Sequence, residues 1–201
     1  MRVPSKYIEN AVDQIASLPG IGRKTALRLV LQLLNRSENE IQQFSDSFLR
    51  MKEHVKKCNS CGNVSDFETC SICQDENREK SIVCVVEDIR DVLAIEATQS
   101  FKGIYHVLNG IISPMDGIGP SDLNITHLIE RVQSQNISEI IFALSATMEG
   151  DTTNFYLYKR LKEYDLTFSS LSKGVAIGSE LQYADEITLS RSILNRQPFE
   201  L

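Results

Sequence analysis

Four cysteines, Cys58, Cys61, Cys70 and Cys73, stand in the order C-x2-C-x8-C-x2-C. Each C-x2-C pair makes a tight turn that aims two thiolates at one point, and two such turns supply the tetrahedral sulfur shell that zinc favours. Protein fills all four positions and leaves none for a catalytic water, so a single structural Zn2+ is expected. Its apparent binding energy, about 10–16 kcal/mol, would be folding energy for so short a loop. The same spacing leaves open two disulfides, reduced surface thiols or an iron–sulfur centre. The fifth cysteine, Cys84, lies inside an apolar run and reads as a small buried hydrophobe. His54, His106 and His127 are scattered and read as core or surface residues.

A second chemistry lies upstream. LPGIG at 18–22 separates two helical patterns, the arrangement of a helix–hairpin–helix. Its glycines let a backbone approach a phosphate, and the following helix points its N–H groups at the anion. Arg23, Lys24 and Arg28 stand on the first turns of that helix, and Lys24 and Arg28, four apart, share a face. Such a grip positions a protein on nucleic acid without reading bases. The plainer reading is a turn between two core helices that carry solvated cations.

A third set is acidic. Glu87 and Asp88 directly follow SIVCVV, and Glu149-Gly150-Asp151 come shortly after EIIFAL. In open α/β sheets, ligands sit beyond the carboxyl ends of the strands. Glu87, Glu149 and Asp151 could therefore converge on a hard cation such as Mg2+. Strand-end acids also serve as solvated caps.

These residues need elements to position them. Helices are expected at 6–17, with Ile8, Val12 and Ile15 on one face, at 23–35, with Leu27, Val30, Leu31 and Leu34 inward, and around 37–57. The cysteine loop occupies 58–77. Then the period changes. Segments 81–88, 103–108, 139–144 and 166–172 read as strands, the first a continuous apolar run and it and the third buried in a parallel sheet. Helical patterns fall between them at 91–98, 122–135 (opened by Ser121 or Asp122 as cap) and 152–164, and a last one at 185–196. Alternation of this kind predicts an α/β layer with a mainly parallel sheet. The expected fold class is α/β and multi-module: a helical module at 1–57, a small zinc module at 58–79, an α/β domain at 80–172 and a tail at 173–201.

The chain has 201 residues, 42% hydrophobic and 24% charged, enough for one large domain or two small ones. No window approaches 18 uninterrupted apolar residues, which excludes a transmembrane helix. The start, MRVPSKYIENAV, lacks the apolar run of a signal peptide. A cytosolic protein is expected, and reduced thiols there favour metal over disulfides. The net charge of −6 hides an asymmetry: residues 1–57 carry ten Lys and Arg against six Asp and Glu, and residues 58–201 carry eleven against twenty-one. A phosphate footprint depends on local clustering, so DNA contact is expected near the N-terminus. The acidic remainder should repel DNA or face a basic partner.

A glutamate after one strand and an acidic-x-acidic pair after a later one resembles a Toprim domain. In chain order, the PGIG hairpin with its following lysine, the four cysteines, CVVED, YHVLNGIISPMDGIGPSDL at 105–123, MEGDTT and GVAIGSELQYADEITLSRSI resemble the RecR family of bacterial recombination mediators over nearly the whole chain. The resemblance implies a non-enzymatic DNA clamp, a homo-oligomer in which a dimer assembles toward a tetrameric ring. It implies action with RecO, and in some lineages RecF, to load RecA onto single-stranded DNA coated by single-strand-binding protein. The location implied is the cytoplasm, with nucleoid association when active. Lys24 and Arg28 fall on the family's DNA-contacting helix. Glu149 and its neighbours fall on an acidic patch associated with RecO. The chain departs from the family where the acidic triplet ends in Asp151, where Ser145-Ala146-Thr147 stands, and at Ser170 and 173–178, a tail read as a subunit interface. The competing reading is a metal-dependent Toprim nuclease, whose acids are nearly all present. Against it, no tyrosine, lysine or histidine stands beside them in a recognised nucleophile or base arrangement. A third reading, a structural zinc adaptor, leaves the basic hairpin unexplained.

Overall fold

Ser5 opens helix α1 (Lys6–Ala16) by accepting a hydrogen bond from the Ile8 N–H at 3.5 Å. The coordinates come from a computed structural model that describes residues 4–196 and Pro198. Parts of the expected first module (1–3) and of the tail (197 and 199–201) lie outside the described residues. The chain divides into two compact units, Met1–Val55 and Lys56–Leu201.

In the first unit, α1 is followed by α2 (Arg23–Leu34) and α3 (Glu38–His54). Val12 packs against Ala26 and Val30, with Ile8, Ile15 and Leu27 at the margin. The inward face of α2 is therefore 26/27/30. Leu31 and Leu34, expected inside, are 44% and 64% exposed. Leucines surround most of α2, so its pattern does not choose a face; the small Ala26 does, by letting α1 approach closely. Helix α3 opens on a capping box, in which the Ser37 N–H donates to Glu40 Oε2 at 2.9 Å. No residue of α3 is buried, and Phe44 and Phe48 stack edge to face on its exposed side. The helix stops at His54, before the expected residue 57.

The second unit begins with a short antiparallel pair, β1 (Lys56–Lys57) and β2 (Val64–Ser65), and one helical turn, α4 (Ser71–Gln74). Then come β3 (Glu79–Val86), α5 (Ile89–Ala97), β4 (Gly103–Val107), α6 (Ile125–Ser134), β5 (Glu139–Phe142), α7 (Met148–Leu161), β6 (Thr167–Ser170) and α8 (Glu186–Leu194). The four long strands form a parallel sheet in the order β4-β3-β5-β6. Side chains alternate along β3 and divide the core in two. Val83 and Val85 pack with Leu128 of α6 and Leu157 and Leu161 of α7. Cys84 and Val86 pack with Val92 of α5 and with Ile72 of the cysteine segment. Cys84 is thus a core residue, and burial pushes its thiol up to about 12. Among the described residues no helix is long and apolar enough to cross a membrane.

Two helix starts differ from expectation by three residues or more. Asp122 belongs to a 3-10 turn and accepts from the Gly119 N–H at 2.8 Å; α6 begins later, after Asn124. Helix α7 starts at Met148, four residues early, and takes in the acidic triplet. Thr147 caps it by accepting from the Gly150 N–H at 3.1 Å. Glycine has a low helix propensity, yet a Cβ on Gly150 would stand 2.0 Å from the Ser145 carbonyl oxygen. Only glycine lets the loop after β5 fold back on α7. Gly150→Ala should therefore lose about 1–3 kcal/mol in urea unfolding, where an ordinary exposed helix site would gain about 1. A more stable alanine variant would refute the close approach.

Candidate metal centre and candidate nucleic-acid interface

The first knuckle turns at Gly62, whose φ is +75°, a region that favours glycine. The Cys58 N–H donates to the Asn63 carbonyl at 2.7 Å and the Gly62 N–H to the Cys58 carbonyl at 2.8 Å. A Cβ on Gly62 would lie 2.9 Å from the Val107 carbonyl oxygen, so the knuckle presses directly on β4. The Val107 N–H donates to the Cys61 carbonyl at 2.7 Å and fixes that contact. The second knuckle opens α4, where Ile72 packs on both the cysteines and the sheet.

This frame brings the four sulfurs within 4.8 Å of one another, with Cys58, Cys61 and Cys70 buried. The Cys61 and Cys70 sulfurs are 3.6 Å apart. A tetrahedral shell with metal–sulfur bonds of about 2.3 Å puts sulfurs about 3.8 Å apart, so the donor set fits one such ion. None of the five cysteines is in a disulfide. Contact between the Cys61 and Cys70 sulfurs, with Cys73 beside them, pulls the Cys70 pKa down and pushes that of Cys61 up. Four crowded, desolvated thiols ionise together only when a cation compensates them.

In the first unit, Gly20 (φ +79°) turns the chain after α1, and the Gly22 cap of α2 lends no side-chain hydrogen bond to the first turn. No acid stands in that turn. The three expected cations part company here. Arg23 reaches back to α1 and pairs with Asp13 and, at 3.4 Å, with Glu9. It is thereby removed from the free basic set, because its charge is met inside the unit. Lys24 and Arg28 are exposed, with no ion-pair partner among the described residues.

The acids leave from neighbouring strands, β3 and β5. They do not close into a cation site: among the described residues only the four cysteines form a cluster of three or more candidate ligands. Asp88 caps α5, accepting from the Arg90 N–H at 2.7 Å, and pairs with the Arg90 guanidinium. Asp151 is held by Lys173 Nζ at 2.6 Å and by Arg191 at 3.6 Å. The Lys173 hydrogen bond keeps its pKa below the ordinary value. Glu87 is half-buried, and burial, with Asp91 and Asp88 nearby, lifts its pKa. Glu149 stands in the first turn of α7, half-buried and unpaired among the described residues. The convergence expected of Glu87, Glu149 and Asp151 is thus replaced by a cap, an ion-paired aspartate and two glutamates. Sequence reading missed Lys173 and Arg191 because their partner is 22 and 40 residues away.

Comparisons with known proteins match the chain in four stretches. Residues 8–51 match the family model described as RecR, helix-hairpin-helix, and residues 55–75 match the RecR four-cysteine zinc finger domain. Residues 81–172 match the Toprim domain, and 174–197 the RecR C-terminal model. Among curated relatives, the Recombination protein RecR of Flavobacterium psychrophilum is 56% identical over 100% of this chain and 97% of its own length. Those of Bacteroides fragilis and Porphyromonas gingivalis are 56% and 54% identical over 98% of this chain and 96% of theirs.

Proposed function

The chain belongs to the RecR family of recombination proteins, and from that premise we propose that it is a zinc-containing, non-enzymatic DNA clamp in recombinational repair. Zinc holds the four cysteines, and with them the edge of the sheet. The clamp acts in the cytoplasm with RecO, and in some settings RecF, to promote RecA loading on gapped or single-stranded DNA. The observation that carries the DNA-binding part is the start of α2: an uncapped, acid-free first turn with Lys24 and Arg28 exposed and unpaired. Backbone N–H groups and two free cations suit phosphate and carry no base readout. A homo-oligomer is supported by the apolar side chains that the chain leaves uncovered, Phe44, Phe48 and Leu49 on α3 and Ile187, Ile193 and Leu194 on α8. Glu87 and Glu149 are the acids left for a basic partner, and RecO is assigned there.

A metal-dependent nuclease is less well supported, since Asp151 already has two cations and the acids form no ligand cluster. The deciding assay follows RecA assembly on single-stranded DNA coated by single-strand-binding protein, with RecO and Mg2+ present. The parent protein is expected to speed assembly and to leave labelled DNA uncut, and Glu149→Ala to slow assembly several-fold with its zinc content intact. Cleavage that disappears in Glu87→Ala would instead establish the nuclease.

A further inference from the structure

Helix α6 carries one residue at odds with the face it occupies. Arg131 lies with Leu128 and Val132 on the buried side and is 2% exposed. A guanidinium stays charged at any physiological pH, so burying it calls for a compensating charge. No carboxylate among the described residues is within ion-pair distance. Its hydrogen bonds go to neutral groups: Nη1 donates to the Tyr105 carbonyl at 2.7 Å and Nε to Gln135 Oε1 at 3.1 Å. Nη2 is buried without an acceptor.

The charge that could answer it belongs to the cysteine centre across a shared cavity. Arg131, Cys73 and Ser60 line one cavity. Burial pulls the Arg131 pKa down, and the four cysteines, Cys73 foremost, act against it. Arg131 and the first knuckle also share a strand: Tyr105 of β4 accepts from Arg131, and Val107 of β4 donates to Cys61. Four thiolates around one divalent cation leave net negative charge in a site with little water, and groups behind the ligands then govern how firmly the metal is held.

We propose that Arg131 is the counter-charge of the cysteine centre, a positioning residue outside the ligand set whose guanidinium neutralises the anionic tetrathiolate and sets its hold on zinc. The proposal rests on the zinc reading above. Its test compares the parent, Arg131→Gln and Arg131→Lys by zinc competition against a chelator and by the absorption of the Co2+-loaded proteins. Arg131→Gln should lose about tenfold to a hundredfold in zinc affinity. Arg131→Lys, which keeps the charge, should retain most of it. The sulfur-to-cobalt charge-transfer band of Arg131→Gln should move to lower energy, because uncompensated thiolates are better electron donors. A packing role alone would lower the thermal stability of both variants and leave the band in place. Unchanged zinc affinity in Arg131→Gln, or an equal loss in both variants, overturns the proposal. If Arg131→Gln does not fold, Arg131→Met takes its place beside Arg131→Lys: a loss confined to Arg131→Met supports the counter-charge, and no loss or an equal loss in both overturns it. A parent that binds no zinc removes the metal reading as well, an outcome distinct from a parent that holds zinc without needing Arg131.

Discussion

Cys61→Ser should release the bound zinc and open the segment from Lys56 to Asp75 to proteases. Structural zinc contributes about 10–16 kcal/mol of apparent binding energy to modules of this size, far more than the short β1–β2 pair can replace. Damage should spread beyond the module. Ile72 belongs to the cysteine cluster and to the layer under Cys84 and Val86, and the Cys61 carbonyl is the acceptor for the Val107 N–H. A loosened knuckle therefore uncovers the free edge of β4, and the thermal midpoint of the second unit should fall. Metal analysis and limited proteolysis check the result, and chelation of the parent should give the same digestion pattern. A Cys61→Ser protein with full zinc content and unaltered digestion would overturn the metal assignment.

The second large effect concerns salt. With Lys24 and Arg28 both changed to alanine, the slope of log affinity against log salt should flatten by about 1.4 units for single strands and about 1.8 for duplex, the counterions of two phosphate contacts. The loss should be uniform across DNA sequences, since these contacts read no bases. Folding should be unaffected, because both side chains are exposed and neither is paired. Arg23→Ala supplies the contrast: its guanidinium is engaged by Asp13 and Glu9, so its removal should leave the slope nearly unchanged. Equal slopes for the parent and the double variant would remove α2 from the DNA interface.

Much of this was legible because the relevant chemistry is local. A thiolate knuckle is a four-residue device, so C-x2-C pairs announce themselves, and buried parallel strands show as short apolar runs wherever they occur. What escaped depends on partners remote in the chain. Arg23 resembles Lys24 until α1 is folded beside it, and Asp151 resembles a cation ligand until Lys173 and Arg191 arrive. Leu31 and Leu34 carry the right chemistry for a core, but the face of α2 is chosen by the small Ala26. The pattern of α7 reads late because Gly150 lowers helix propensity, and tertiary packing against Ser145 outweighs that preference. Arg131 was visible in principle: three residues after Leu128 and one before Val132, its spacing alone sets a cation among apolar neighbours.

The attachment of the last helix carries a consequence of its own. Helix α8 buries none of its residues, and Arg191 on it and Lys173 before it reach one aspartate of α7. A segment fastened by charge grips less firmly as ionic strength rises, whereas burial would be nearly indifferent to salt. A neighbouring protein offering its own carboxylates could therefore peel this strap from Asp151 at small cost and keep it, exchanging one clasp for another without unfolding the sheet beneath.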